Sequence, residues 1–187
     1  MIAKFVDSVK QYDGTQLCSL WAFRNFGLQG DSIVSFRGRC HVQIDHMVDL
    51  ADVRANDSIY SEDMLHFIVE HFDMDLEKTV TRQRLLIAII KEVLEDLTGC
   101  RLKRNGDDLY LNDAKLSVSI ATLSPVSTVI HTGINISSNN TPVPTVSITD
   151  LGWPENRSAE LADKIGQRYA NEIESIRLAR CKVRGVQ

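Results

Sequence analysis

The chain has 187 residues, enough for one domain with a full core or for one domain plus a small appendage. Hydrophobic content of 43% and charged content of 25% suit a soluble globular protein, and a net charge of −4 leaves no general footprint for nucleic acid. Four well-separated cysteines without a C-x-x-C pair argue against a zinc ribbon or a disulfide framework and for reduced thiols in a cytoplasm.

Residues 2–6 read as a short strand. Lys4, Asp7 and Lys10 interrupt the apolar residues there, so no signal peptide is expected. Asp13-Gly14-Thr15 forms a turn and N-cap for a helix over 16–26 that Gly27 ends, with Trp21 on the core stripe. Residues 32–42 form a strand carrying Arg37-Gly38-Arg39, which is either a clamp for a phosphate or carboxylate or a solvated edge. The stretch 44–62 has no clear period and is rich in aspartate (Asp45, Asp49, Asp52 and Asp57, with Asp63 just beyond). It reads as a long excursion with one helical turn near 48–53, a candidate lid and equally a candidate homodimer contact. Asp49 and Asp52 share a helical face, but two carboxylates alone do not make a metal site.

Residues 65–72 form a strand with Leu65, Phe67 and Val69 on one face and His66, Ile68 and Glu70 on the other. His66 and His71 therefore cannot point into one site. Glu70 and His66 lack a third ligand, so no metal is expected. The period of Val80, Leu86, Ile90, Val93 and Leu97 predicts a buried helix over 76–98, stopped by Gly99. Its longest apolar run, 85–90, is far too short to span a bilayer, so no membrane association is expected. Three short strands follow within 106–137. A hairpin about Asp113-Ala114 places Asp108, Tyr110, Lys115, Ser117 and Ser119 on one face, opposite Leu116, Val118 and Ile120. In the third strand His131, Gly133 and Asn135 oppose Ile130, Ile134 and Ile136. This polar face is either the wet side of an antiparallel sheet or the floor of a cleft, with Gly133 admitting a ligand to the backbone. After a polar loop over 137–144, residues 145–148 read as a last strand and 154–179 as a closing helix. The basic cluster Arg177, Arg180, Lys182 and Arg184 suits the end of that helix. The order implies an α+β domain over 1–187, a mostly antiparallel sheet with packing helices.

Asp108-Leu109-Tyr110-Leu111, Lys115-Leu116-Ser117-Val118-Ser119 and Gly133-Ile134-Asn135-Ile136 resemble the core motifs of biotin and lipoate protein ligases, which share the class II aminoacyl-tRNA synthetase-like fold. Over its full length the chain is still more similar to an archaeal-type family, domain of unknown function number three hundred and sixty-six. Segments 20–27, 64–70 and 116–121 carry that likeness. The ligase resemblance implies a lysine, here Lys115, that contacts the carboxylate of the acid and the α-phosphate of ATP. Asp108 and Asp107 would orient it or hold magnesium, and Ser117, Ser119 and Gly133 would line the acid pocket. ATP and magnesium enter only through this resemblance. The sequence departs from the ligases where they carry a long glycine- and arginine-rich nucleotide loop, for only Arg37-Gly38-Arg39 stands here. Val118 replaces a glycine and Asp107 an asparagine. Two readings follow: acyl or acyl-adenylate transfer onto a carrier protein or small amine, anchored on Lys115 and with a small carboxylic acid or acyl carrier as partner, or a non-catalytic ligand-binding or assembly module that kept the fold.

Overall fold

Two β-sheets and four α-helices occupy the described residues, 1–56, 59–141 and 143–186 of a computed structural model. In chain order the strands are β1 (Ile2–Val6), β2 (Ser32–Val42), β3 (Ile59–His71), β4 (Lys103–Asn105), β5 (Asp108–Leu111), β6 (Ala114–Lys115), β7 (Ser117–Leu123) and β8 (Thr128–Asn135). The helices are α1 (Trp21–Phe26), α2 (Leu50–Ala55), α3 (Leu76–Thr98) and α4 (Ser158–Ala179). The large sheet runs β1-β2-β3-β8-β7 and is antiparallel except at β1–β2. The small one, β4-β5-β6, is antiparallel throughout. The architecture is α+β with antiparallel pairing dominant.

Strand alternation sorts two cores. Leu65, Phe67 and Val69 of β3 and Ile130 and Ile134 of β8 are buried against α3 and α4. Helix α3 presents Leu86, Ile87, Ile90 and Leu94 to them, and α4 presents Leu161, Ile165, Tyr169 and Ile173. Asp75 caps α3 by accepting the Lys78 N–H at 2.9 Å, and Gly99 closes it at φ 72°, where a side chain is disfavoured. The opposite face of the sheet is smaller and differently covered. Phe36, Cys40, Met64 and Ile68 lie beneath Tyr12 and Met47, with Trp21 and Val53 packed at the margin. That second face carries the candidate site.

Four expectations are corrected. Helix α1 starts at Trp21, not at 16, because Leu20 turns left-handed (φ 63°) and its N–H goes to Glu70 Oε1 at 2.7 Å. Strand β3 starts at Ile59, since β2 continues beyond a bulge at Gly38/Cys40 and pairs Cys40–Val42 with Ile59–Ser61. Residues 145–148 form no strand; Thr145 makes one parallel bridge to Lys115. The excursion holds a 3-10 turn (Ile44–His46) as well as α2, while Asp57 and Pro142 lie outside the described residues. Among the described residues, no helix is long and apolar enough to cross a membrane.

Candidate functional site

Strand β5 returns as β6 through Asn112, which accepts φ 54° as asparagine readily does, and this turn sets Tyr110 opposite Lys115. Lys115 Nζ lies 2.9 Å from Asp108 Oδ2, and the Tyr110 hydroxyl donates to the same oxygen at 3.4 Å. The lysine backbone is held from both sides. Its N–H donates to Pro144 O, and its carbonyl accepts from Val146 N and from Asn135 Nδ2. Asn135 thus supports the lysine from behind. The Lys115 side chain, 32% exposed, and that of Asp108, 24% exposed, are wet enough to meet a ligand and dry enough to be oriented.

Lys115 stands in a wall common to two hollows. One, of about 230 Å³, also contains Tyr12, Val118, Ile120, His131 and the carboxylates Asp49, Asp52, Asp107 and Asp108. The other, of about 370 Å³, contains Ser61, Met64, Asn135, Thr141 and Thr145. Asp107 is tied to α3, its carboxylate accepting from Gln83 Nε2 at 2.8 Å and lying 3.4 Å from Arg84. Burial raises the Asp108 carboxyl above its ordinary range against the pull of Lys115, and the like charge of Asp107 adds to the rise.

Ser119 lies in the lining of the first hollow and Ser117 in that of the second, each with Lys115, but their hydroxyls are engaged elsewhere. At Leu116 the chain changes sheets: its N–H donates to Leu109 O in the small sheet, and its carbonyl accepts from Asn135 N in the large one. Alternation therefore does not carry through from Lys115. The Ser117 hydroxyl turns inward to accept the Leu109 N–H at 2.9 Å. The Ser119 hydroxyl accepts from Gln83 Nε2 on the α3 side. Val118 and Ile120 instead stand opposite Gly133 and His131 on the hollow's floor. A Cβ on Gly133 would meet Met64 Cε at 2.8 Å and Val118 Cγ2 at 3.3 Å, so side chains, not a ligand, fill that space.

Arg37-Gly38-Arg39 does not join the lysine. Arg37 grips Asp63 through Nε (3.0 and 2.9 Å) and the guanidinium edge, and reaches Glu155. Arg39 stacks over Tyr60, 4.9 Å from its ring centre. Gly38 admits the chain itself, for a Cβ there would lie 1.9 Å from Lys10 O. That crossing carries Tyr12 into place through Lys10 N to Arg37 O and Tyr12 N to Arg39 O. The residues present do not fit a nucleotide triphosphate: the arginines are engaged elsewhere, and four carboxylates face one ammonium. Gly38→Ala is expected to destabilise the fold by about 2–3 kcal/mol through overpacking. A urea midpoint within error of wild type would contradict the close crossing.

Sequence reasoning missed Tyr12 and Gln83. Tyr12 stacks on His131 with ring centres 3.5 Å apart. Nothing local marks it. Gln83 had a signal, a polar side chain on the buried stripe shared with Thr79, Leu86 and Ile90. His66, on the same face as His131, bonds it at 3.0 Å, whereas His71 lies on the other face between Asp31 and Tyr169.

A family model described as Domain of unknown function (DUF366) matches residues 1–184. An uncharacterised protein of Methanocaldococcus jannaschii is 44% identical over 178 residues, covering 92% of this chain and 79% of that protein. A solved protein of unknown function from Pyrococcus horikoshi superposes with a TM-score of 0.92 at 38% identity, covering 100% of this chain and 99% of that one. A putative lipoate protein ligase from T. acidophilum with bound lipoic acid gives 0.63 at 11% identity, covering 90% and 85%. Biotin protein ligase from Aquifex aeolicus gives 0.58 at 13%, covering 94% and 71%. At those identities the ligases share the fold alone.

Proposed function

This chain belongs to the DUF366 family and has the fold of the biotin and lipoate protein ligases, and on that premise we propose that it binds an acyl group at Lys115 and passes it to an amine. One observation carries the reading: an ammonium fixed by its backbone on both sides stands between two hollows, beside an apolar floor of Val118 and Ile120. A cation so placed stabilises the negative charge that gathers on an acyl oxygen during transfer. Because the site does not fit a nucleotide, the donor is an already activated acyl group such as a thioester. The amine nitrogen bonds to the acyl carbon, the carbon–sulfur bond breaks, and the proton lost by nitrogen leaves with the thiol.

Octanoate or lipoate is expected to raise the melting temperature of wild type but not of Lys115→Ala, whereas ATP with magnesium leaves both unchanged. Equal shifts in the two proteins would remove Lys115 from the site. A non-catalytic binding module is the second reading, favoured by the locked Arg37 and the covered Gly38. Ligand-induced stabilisation without transfer from octanoyl thioester to any amine would select it.

A further inference from the structure

The larger of the two hollows beside Lys115, about 370 Å³, has in its wall a hydroxyl without a partner. Ser61 lies on β3 directly opposite Cys40, beyond the bulge in β2, and residues that face one another across an antiparallel pair point to the same side. Cys40 belongs to the smaller core, so the Ser61 side chain stands on the face that carries the site. Ser61 is 2% exposed, and among the described residues its Oγ makes no hydrogen bond. Its neighbours in the wall are engaged. The Thr141 and Thr145 hydroxyls bond each other at 2.8 Å, Ser117 Oγ accepts the Leu109 N–H, and Asn135 Nδ2 donates to Lys115 O and Val146 O. A hydroxyl taken out of water without a partner costs free energy, and a ligand that bonds it recovers that cost. Lys115 supplies a cation to the same wall, and Met64 and Val118 supply apolar surface. The volume lies towards the small end of ligand pockets, which run from about 300 to 1,000 Å³.

We propose that Ser61 selects the acyl group: the small acid held at Lys115 carries a second oxygen, a hydroxyl or carbonyl on its chain, that hydrogen-bonds the Ser61 hydroxyl. On the acyl reading, on which this rests, the group bound is then a hydroxyacyl or oxoacyl group and not a plain hydrocarbon chain. A serine hydroxyl both donates and accepts, so it suits either oxygen. Covered from solvent as it stands, the Oγ meets the ligand by turning about χ1 to another staggered well, which leaves the strand in place. Ser61 is thus a specificity-determining residue that touches the chain of the acid, while Lys115 keeps the acyl oxygen.

The test titrates the full chain, with no amine present, with octanoate and with racemic octanoates hydroxylated at each carbon from the second to the eighth. One position, or two adjacent ones, should bind wild type about three- to tenfold more tightly than octanoate, the worth of one hydrogen bond. Ser61→Ala should bind octanoate as wild type does and lose that preference. It should also melt at or above the wild-type temperature, since alanine buries no unpaired hydroxyl. The oxo acid of the preferred position separates the two oxygens: an equal gain names either group, and no gain names a hydroxyl. Melting of Ser61→Ala several degrees below wild type would show the hydroxyl already paired in the folded chain and overturn the proposal. A series in which no member gains over octanoate, or a gain that survives Ser61→Ala, would overturn it as well. Binding of octanoate that is lost in Lys115→Ala, with a flat series, would leave the acyl reading standing without this selection. Binding of neither octanoate nor any member of the series would remove both.

Discussion

If the proposed transfer reaction is correct, Lys115→Met is expected to lower acyl transfer from a thioester to an amine by about 10²- to 10³-fold, the usual loss when one preorganised donor to a developing oxyanion is removed. Methionine keeps most of the stem volume and removes only the charge. The fold should tolerate this, since the ion pair to Asp108 is partly solvated and such pairs contribute little to stability. The loss should therefore appear in kcat, with the melting temperature within a few degrees of wild type. Mass-spectrometric counting of octanoyl amide formed on a lysine peptide measures it. Transfer by Lys115→Met within threefold of wild type would remove the lysine from the reaction.

Acidification from pH 7 to pH 4 lowers stability by roughly 3 kcal/mol through His66 alone, the free energy equivalent of a fall in pKa from 6.5 to about 4. The sign follows from proton binding. Above pH 6.5 both folded and unfolded His66 are neutral, and its contribution is complete. Below 6.5 the unfolded chain takes up a proton that the folded ring refuses, so stability falls until about pH 4. His131 and His71 are lowered in the same direction, chiefly by burial, and deepen the loss. Asp31 extends it to lower pH, because bonds from His71 and Phe72 and the charges of His71 and Arg177 hold its carboxyl well below the ordinary range despite burial. Asp108 acts in the opposite sense, since its raised pKa relieves strain on acidification. For a chain of this length His66 alone corresponds to a drop of roughly 6–12 °C. Calorimetry at intervals between pH 7.5 and 4 measures it, and a flat profile down to pH 4.5 would mean that these histidines are not buried as neutral rings.

Much of the frame was legible along the chain. Alternation in 65–72 separated Leu65, Phe67 and Val69 from His66 and Glu70, and the structure keeps that division. The 3.6-residue period and Gly99 delimited α3, and the closing helix lay where its spaced isoleucines placed it. The tight turn that pairs Asp108 with Lys115 could also be read, because both residues lie within a few positions of it. The face of Ser117 and Ser119 was misjudged for a specific reason: alternation counts residues within one sheet, and Leu116 belongs to two.

By itself the sequence determined the strand through 65–71, the two long helices and which face of each is apolar, because those properties repeat every two or 3.6 residues and need no distant partner. The tertiary structure alone decided what occupies the polar face. Lys10 crosses over Gly38, Met64 and Val118 fill the space beside Gly133, and Tyr12 lies on His131. Each of these contacts joins segments far apart in the chain through side-chain shape or a close backbone approach, and no local period encodes either.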